Sequence, residues 1–133
     1  MKFKKVLLPF IIVFVIAYVS FGVWIVHDTR IILEEAMQGN ADTGYMNSAA
    51  YKSINPVERE MTARGFKYNQ GVHHIGFVLP LHFFFVSKVF VTQEYTNKDL
   101  AFREPVRLEL ILKSGKWVAT KASIKPKTEL RDR

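Results

Sequence analysis

The chain contains no cysteine. That excludes a disulfide framework, thiol catalysis and cysteine-ligated zinc, and it leaves the redox character of the compartment open. Glycine and proline are sparse, 7 and 5 among 133 residues, so the few that occur mark turns and helix ends with some force. Charge is absent altogether from residues 6–26, VLLPFIIVFVIAYVSFGVWIV. There is no internal repeat and no low-complexity stretch, and the length leaves room for one domain.

The uncharged run is the strongest feature. As a helix of 21 residues it reaches about 31 Å, the thickness of a hydrocarbon core of about 30 Å. Pro9 falls in its first turn, where a missing N–H costs little, and Trp24 suits an interface. Lys2, Lys4 and Lys5 precede it without an acid, which places the N-terminus in the cytoplasm and the rest outside. Ser20 and Gly22 offer a small-x-small cleavage site, but the run continues apolar past them, so an uncleaved anchor is expected. The reading is 1–5 cytoplasmic, 6–26 in the bilayer, 27–126 an exported domain, and 127–133 a flexible basic tail. Three of the 19 basic residues precede the run, leaving 16 against 12 acidic ones. So small an excess gives no reason to expect nucleic acid as a partner.

After the run, residues 28–40 read as a helix with Ile32, Leu33, Ala36 and Met37 on one side and Gly39 at its end. Asp42 suits the cap of a second helix carrying Tyr45, Met46, Ala49, Ala50 and Ile54. Asn55, Pro56 and Glu58 mark a third start as cap, N1 and N3. From residue 72 the period changes to two: a strand ending at Pro80, then a long strand over 81–96 and a turn at 96–99. The segment GFVLPLHFFFVSKVFV (76–91) is apolar enough to suggest a second span. Lys88, Pro80 and His82 bring its insertion close to balance, whereas the N-terminal run favours insertion by roughly 7 kcal/mol. It is expected to be a core strand.

The final hairpin, VRLELILKSGKWVATKASI, is expected to turn on three residues, 113–115, with Gly115 in a bulge. That register sets Leu110 against Val118 and Leu108 against Thr120, and places Ile111 opposite Trp117 on the outer face. The fold class is α+β: one N-terminal transmembrane helix, then two or three helices packed on a curved antiparallel sheet of about four strands. Residues 32–51 resemble the opening, and LELILKSGKWV (108–118) the closing hairpin, of the nuclear-transport-factor-2-like, or cystatin-like, cone. The resemblance implies a sheet wrapped around helices with an apolar interior that sometimes holds a ligand, and it carries over no catalytic residue. The anchor-plus-small-domain plan is also similar to that of the cytochrome oxidase assembly factor one and Tim twenty-one family.

No residue set points to a reaction, so a non-catalytic module is expected, without a cofactor. His73, His74 and His82 raise zinc, but neighbouring histidines of a strand face opposite ways and no carboxylate lies close in sequence. A partner face is expected at Ile111, Trp117, Lys121 and Lys125, meeting a membrane or envelope protein. The alternative is a ligand pocket drawing on Tyr45, Tyr51, His82 and Tyr95, open at the cone's mouth.

Overall fold

The computed structural model describes residues 2–98 and 100–124, with side chains from Lys5 onward. The uncharged run and the helix expected over 28–40 form one continuous element, α1 (Lys2–Gln38). No glycine or proline interrupts their junction. Asp28, which could have capped a new helix, instead accepts a hydrogen bond from the Trp117 backbone N–H at 3.0 Å. An 18-residue window within Lys5–Gln38 has a mean hydropathy of 2.7, and none of it is buried. The N-terminal half is thus a helix long and apolar enough to cross a membrane. The C-terminal half buries Ile25, Ile32, Leu33 and Ala36 in the domain core.

Helix α2 (Ser48–Ile54) starts later than the sequence suggests. Gly44 is left-handed at φ +84, and residues 45–47 pair with the sheet through Asn47 N–H to Ala119 O and Ala119 N–H to Tyr45 O. Asn47, not Asp42, therefore caps the helix, accepting from Ala50 N–H at 2.9 Å. At the third expected start the cap forms, since Asn55 Oδ1 accepts from Val57 and Glu58 N–H. No helix follows: Glu60 turns left-handed at φ 61, and Arg59 reaches into the sheet. The described residues thus hold two α-helices and a short 3-10 turn, Gln70–Val72.

Four antiparallel strands in sequential order make the sheet: β1 (His73–His82), β2 (Val86–Thr96), β3 (Ala101–Lys113) and β4 (Lys116–Ile124). The apolar segment 76–91 is strand and hairpin as expected, but it is not the buried core strand the sequence suggests: Val78, Val89 and Val91 face the core, while Phe77, Leu79, Leu81, Phe83, Phe85, Val86 and Phe90 are exposed. Two local expectations are overturned. The strand predicted over 81–96 is broken at residues 83–85, and β1 runs through Pro80, which an edge strand tolerates. The β3–β4 turn uses two residues, Ser114 and Gly115, both left-handed at φ 53 and 78, as the twist of a tight hairpin favours. Leu112 then pairs with Trp117, Ile111 with Val118 and Leu110 with Ala119. A bulge next in the ladder pairs Glu109 with Lys121, which returns Leu108 opposite Ala122. Without that extra residue the two-residue turn would have mixed the faces.

Helices cover one face of the sheet. Trp117, Leu108, Leu110, Val89 and Ala119 of that face pack on α1 and α2 and are essentially inaccessible. A second cluster, Met37, Tyr95 and Leu100, closes the end of the sheet away from the β1–β2 turn. Two polar atoms in the core, Thr29 Oγ1 and Trp117 Nε1, have no protein hydrogen-bond partner among the described residues. Residues 125–133, which include Lys125 and the expected tail, lie outside the described residues.

Candidate functional site

The β1–β2 turn is built from side chains that are not ordinary turn formers. Phe84 sits left-handed at φ 63, a conformation that costs a bulky residue about 1–2 kcal/mol. His82 helps to hold it. Its Nδ1 accepts from Phe84 N–H at 3.0 Å, so its Nε2 carries the proton and donates to the Tyr18 carbonyl of α1 at 2.9 Å. The Phe84 ring packs edge-on against Phe14, Tyr18 and Phe21, at centroid distances of 5.6, 6.1 and 5.4 Å. Tyr18 stacks on His82 at 3.9 Å. Higher on the helix, Gly22 lies under Pro80, Trp24 meets Trp117, and Arg30 donates to Ile75 O. The hairpin tip therefore reaches far back along α1, toward the middle of the uncharged run.

The outward sheet face carries an exposed apolar stripe. Along β1 and its turn run Phe77, Leu79, Leu81 and Phe83, joined by Phe85, Val86, Phe90 and Ile111; Phe77 and Phe83 are each 80% exposed. An open cleft of about 390 Å3 lies among Phe77, Leu79, Phe90, Pro105, Arg107 and Ser123. A similar one near the hairpin touches Tyr18, His82, Lys88, Glu109 and Ile111. Both are surface depressions. Lys88, Glu109 and Lys121 stand in one row across β2, β3 and β4. Of the expected partner face, Ile111 and Lys121 do lie on this side. Trp117 does not: the two-residue turn rotates it into the core, where it is fully buried, so the pair Ile111–Trp117 is no surface patch.

At the opposite end of the sheet a buried polar chain links five side chains. Arg59 donates to both oxygens of Glu104, at 2.8 and 3.0 Å. Gln93 Nε2 donates to Glu104 at 3.2 Å, which turns its Oε1 toward His73 Nε2 at 2.9 Å. His73 must then be protonated on Nε2, and its Nδ1 accepts from the Tyr68 hydroxyl at 2.6 Å. Burial lowers the His73 pKa below its usual value, against an opposing push from the Gln93 bond, so the ring is neutral as the bonding requires. Burial, helped by Glu34, raises the Tyr68 pKa and keeps the hydroxyl protonated. A neutral histidine between a phenol and an amide, with the one acid paired to arginine, locks the loop 55–72 over the sheet. Its donors and acceptors face one another.

The expected pocket residues do not converge. His82 lies at the hairpin and Tyr95 pairs with His73 at the other end of β1, nine residues or about 30 Å away. Tyr45 sits under Lys116, whose Nζ is 4.5 Å from the ring centroid. Tyr51 is half-buried on α2, its pKa raised by burial and then by Glu58. The three histidines take separate roles: His73 in the polar chain, His74 exposed, His82 in the turn. Among the described residues no three His, Cys, Asp or Glu side chains gather as metal ligands. Sequence reading missed Arg59, Gln93 and Glu104; the inward parity of Gln93 and Glu104, next to Val91 and Val106 on their strands, was the signal for them. The chain matches no family model, no curated protein and no solved structure.

Proposed function

We propose that this protein is a membrane-tethered interaction module without catalysis of its own, held by one pass of α1 with its N-terminus in the cytoplasm and its domain outside. Its partner is a membrane or envelope protein, docking on the outward sheet face. The observation that carries this reading is the exposed stripe Phe77–Leu79–Phe90, on a domain whose other face is fully used by its own helices. Retention of the anchor is supported by Tyr18, Phe21 and Gly22, which a cut after Gly22 would remove and which meet His82, Phe84 and Pro80 of the domain. The lysines that precede the run support the orientation.

The ligand-binding cone remains an alternative at the level of the family resemblance. The helical layer on an antiparallel sheet suits it, but an interior packed by Trp117, Ile25, Leu33 and Leu108 favours an interaction role over ligand storage. A photo-reactive residue placed at Phe77 or Phe90 in intact membranes tests the proposal. A discrete protein adduct, lost when Leu79→Asn is added, is the expected result. Adducts that do not depend on the stripe, or none at either position, would overturn it.

A further inference from the structure

The depth at which the β1–β2 hairpin meets α1 has a geometric consequence. Phe14 and Tyr18, which hold Phe84 and His82, flank the centre of the uncharged run 6–26. If the bilayer ended below this contact, only residues 6–13 would remain to cross it. Eight helical residues reach about 12 Å, against the roughly 30 Å a hydrocarbon core requires. Even a span that took in Lys2, Lys4 and Lys5, residues 2–21, leaves Tyr18 and Phe14 about 5 and 10 Å inside. Every register in which α1 crosses the membrane therefore takes the hairpin tip into the hydrocarbon with it.

The tip is built for that place. No charged residue occurs from Ile75 to Ser87. Phe83, Phe85, Val86 and Leu81 point outward, 50–80% exposed, beside the equally exposed apolar side chains of α1. A backbone in lipid must satisfy its polar groups without water. Here the Phe83 N–H donates to Val86 O at 2.9 Å, Phe85 N–H to Phe83 O at 2.7 Å, and Phe84 N–H to the His82 ring. Leu112 N–H takes up Phe85 O, and the Ser87 hydroxyl takes up Leu81 O. The first charge beyond the tip along β2 is Lys88, which faces Glu109 across the ladder and can reach a headgroup layer with its long side chain. On the far side, Trp117 meets α1 at Trp24 and Asp28, six to ten residues nearer the helix C-terminus than Tyr18. The sheet thus stands obliquely, with the β1–β2 corner lowest and the lysines of the β3–β4 turn higher.

We infer that the hairpin tip, residues 81–86, is a second membrane element: an aromatic wedge seated among acyl chains of the leaflet nearest the domain, fixing the domain's tilt on its anchor. This rests on the reading of α1 as a membrane span. The absence of cysteine makes the test direct, because single cysteines can be placed at Phe83 and Phe85, both exposed, with Val13→Cys reporting the span and Thr92→Cys the outer sheet. Each full-length variant carries an environment-sensitive fluorophore in phosphatidylcholine–phosphatidylglycerol vesicles, and quenching by doxyl-labelled lipid is compared with quenching by aqueous iodide. The expected result is lipid quenching at 13, 83 and 85 several-fold stronger than at 92, with iodide in the reverse order. Lipid quenching at 13 with 83 and 85 behaving like 92 would overturn the wedge and leave the anchor standing. Position 13 behaving like 92 would remove the span itself. Protection of 83 and 85 from both quenchers would show a protein surface there instead of lipid and also overturn the inference.

Discussion

Replacing Arg59 by methionine keeps the length and apolar stem of the side chain and removes the guanidinium that meets both oxygens of Glu104. Glu104 is 2% exposed and Arg59 15%, so the carboxylate left behind is a buried charge with only Gln93 to stabilise it. Breaking a buried pair in this way costs about 3–5 kcal/mol. The remaining Gln93 bond and the partial exposure of Arg59 place the expected loss near the lower end, about 3 kcal/mol. Against a total stability of about 5–15 kcal/mol this is a large fraction. At a urea dependence of about 1.5 kcal/mol per molar, the midpoint should fall by about 2 M. The assay is urea unfolding of the full chain in detergent micelles, read from tryptophan fluorescence, since Trp117 lies in the core. Adding Glu104→Gln in the Arg59→Met background replaces a charge by an amide that can still accept from Gln93, and should recover at least about 1 kcal/mol. An Arg59→Met midpoint within about 0.3 M of wild type, or a double variant no better than the single, would show that the pair does not bear on the fold as argued.

Three further outcomes follow from the same contacts. His73 is neutral when folded and its pKa is lowered by burial, so below about pH 6.5 the unfolded chain takes up the proton first. Stability should be full above that pH and fall by up to about 1.4 kcal/mol per unit as pH drops toward the folded pKa; His73→Gln should flatten the slope in pH-dependent urea melts. Thr29→Val removes a buried hydroxyl with no protein partner among the described residues and should be neutral or stabilising by about 1 kcal/mol in thermal melts; a loss above that would contradict it. His82→Leu deprives Phe84 N–H of its acceptor and the Tyr18 carbonyl of its second donor, and should cost about 2–3 kcal/mol in urea unfolding.

Much of the architecture could be read from residue patterns. The uncharged run, the apolar face of residues 32–37, and the alternation of Ser87, Val89, Val91, Gln93 and Tyr95 all took the roles their periods imply. The failures share a cause: a side chain far away or a single extra residue supplied what local sequence did not advertise. The turn at 83–85 lacks glycine and asparagine because His82 satisfies the backbone and α1 packs the strained Phe84. The bulge opposite Glu109 lets a two-residue Ser–Gly turn coexist with clean faces, and so sent Trp117 inward. Asp28 was spent on a strand 89 residues on and could not begin a new helix. The polar chain from Arg59 to Tyr68 joins a loop and three strands, a convergence no spacing rule encodes.

The central claim is that a single helix carries both the membrane span and the domain's lowest corner, with the hairpin clamped against mid-span. A chain carrying Phe14→Cys and Phe84→Cys, reconstituted in a bilayer and treated with a short thiol–thiol cross-linker, measures this directly. Efficient cross-linking within one chain, seen as a faster-migrating monomer that reducing agent does not affect and that either single cysteine fails to give, is the expected result. No intramolecular product, while both cysteines remain reactive after the bilayer is dissolved, would mean that the hairpin and the helix part company in the membrane, and the account would fail at its foundation.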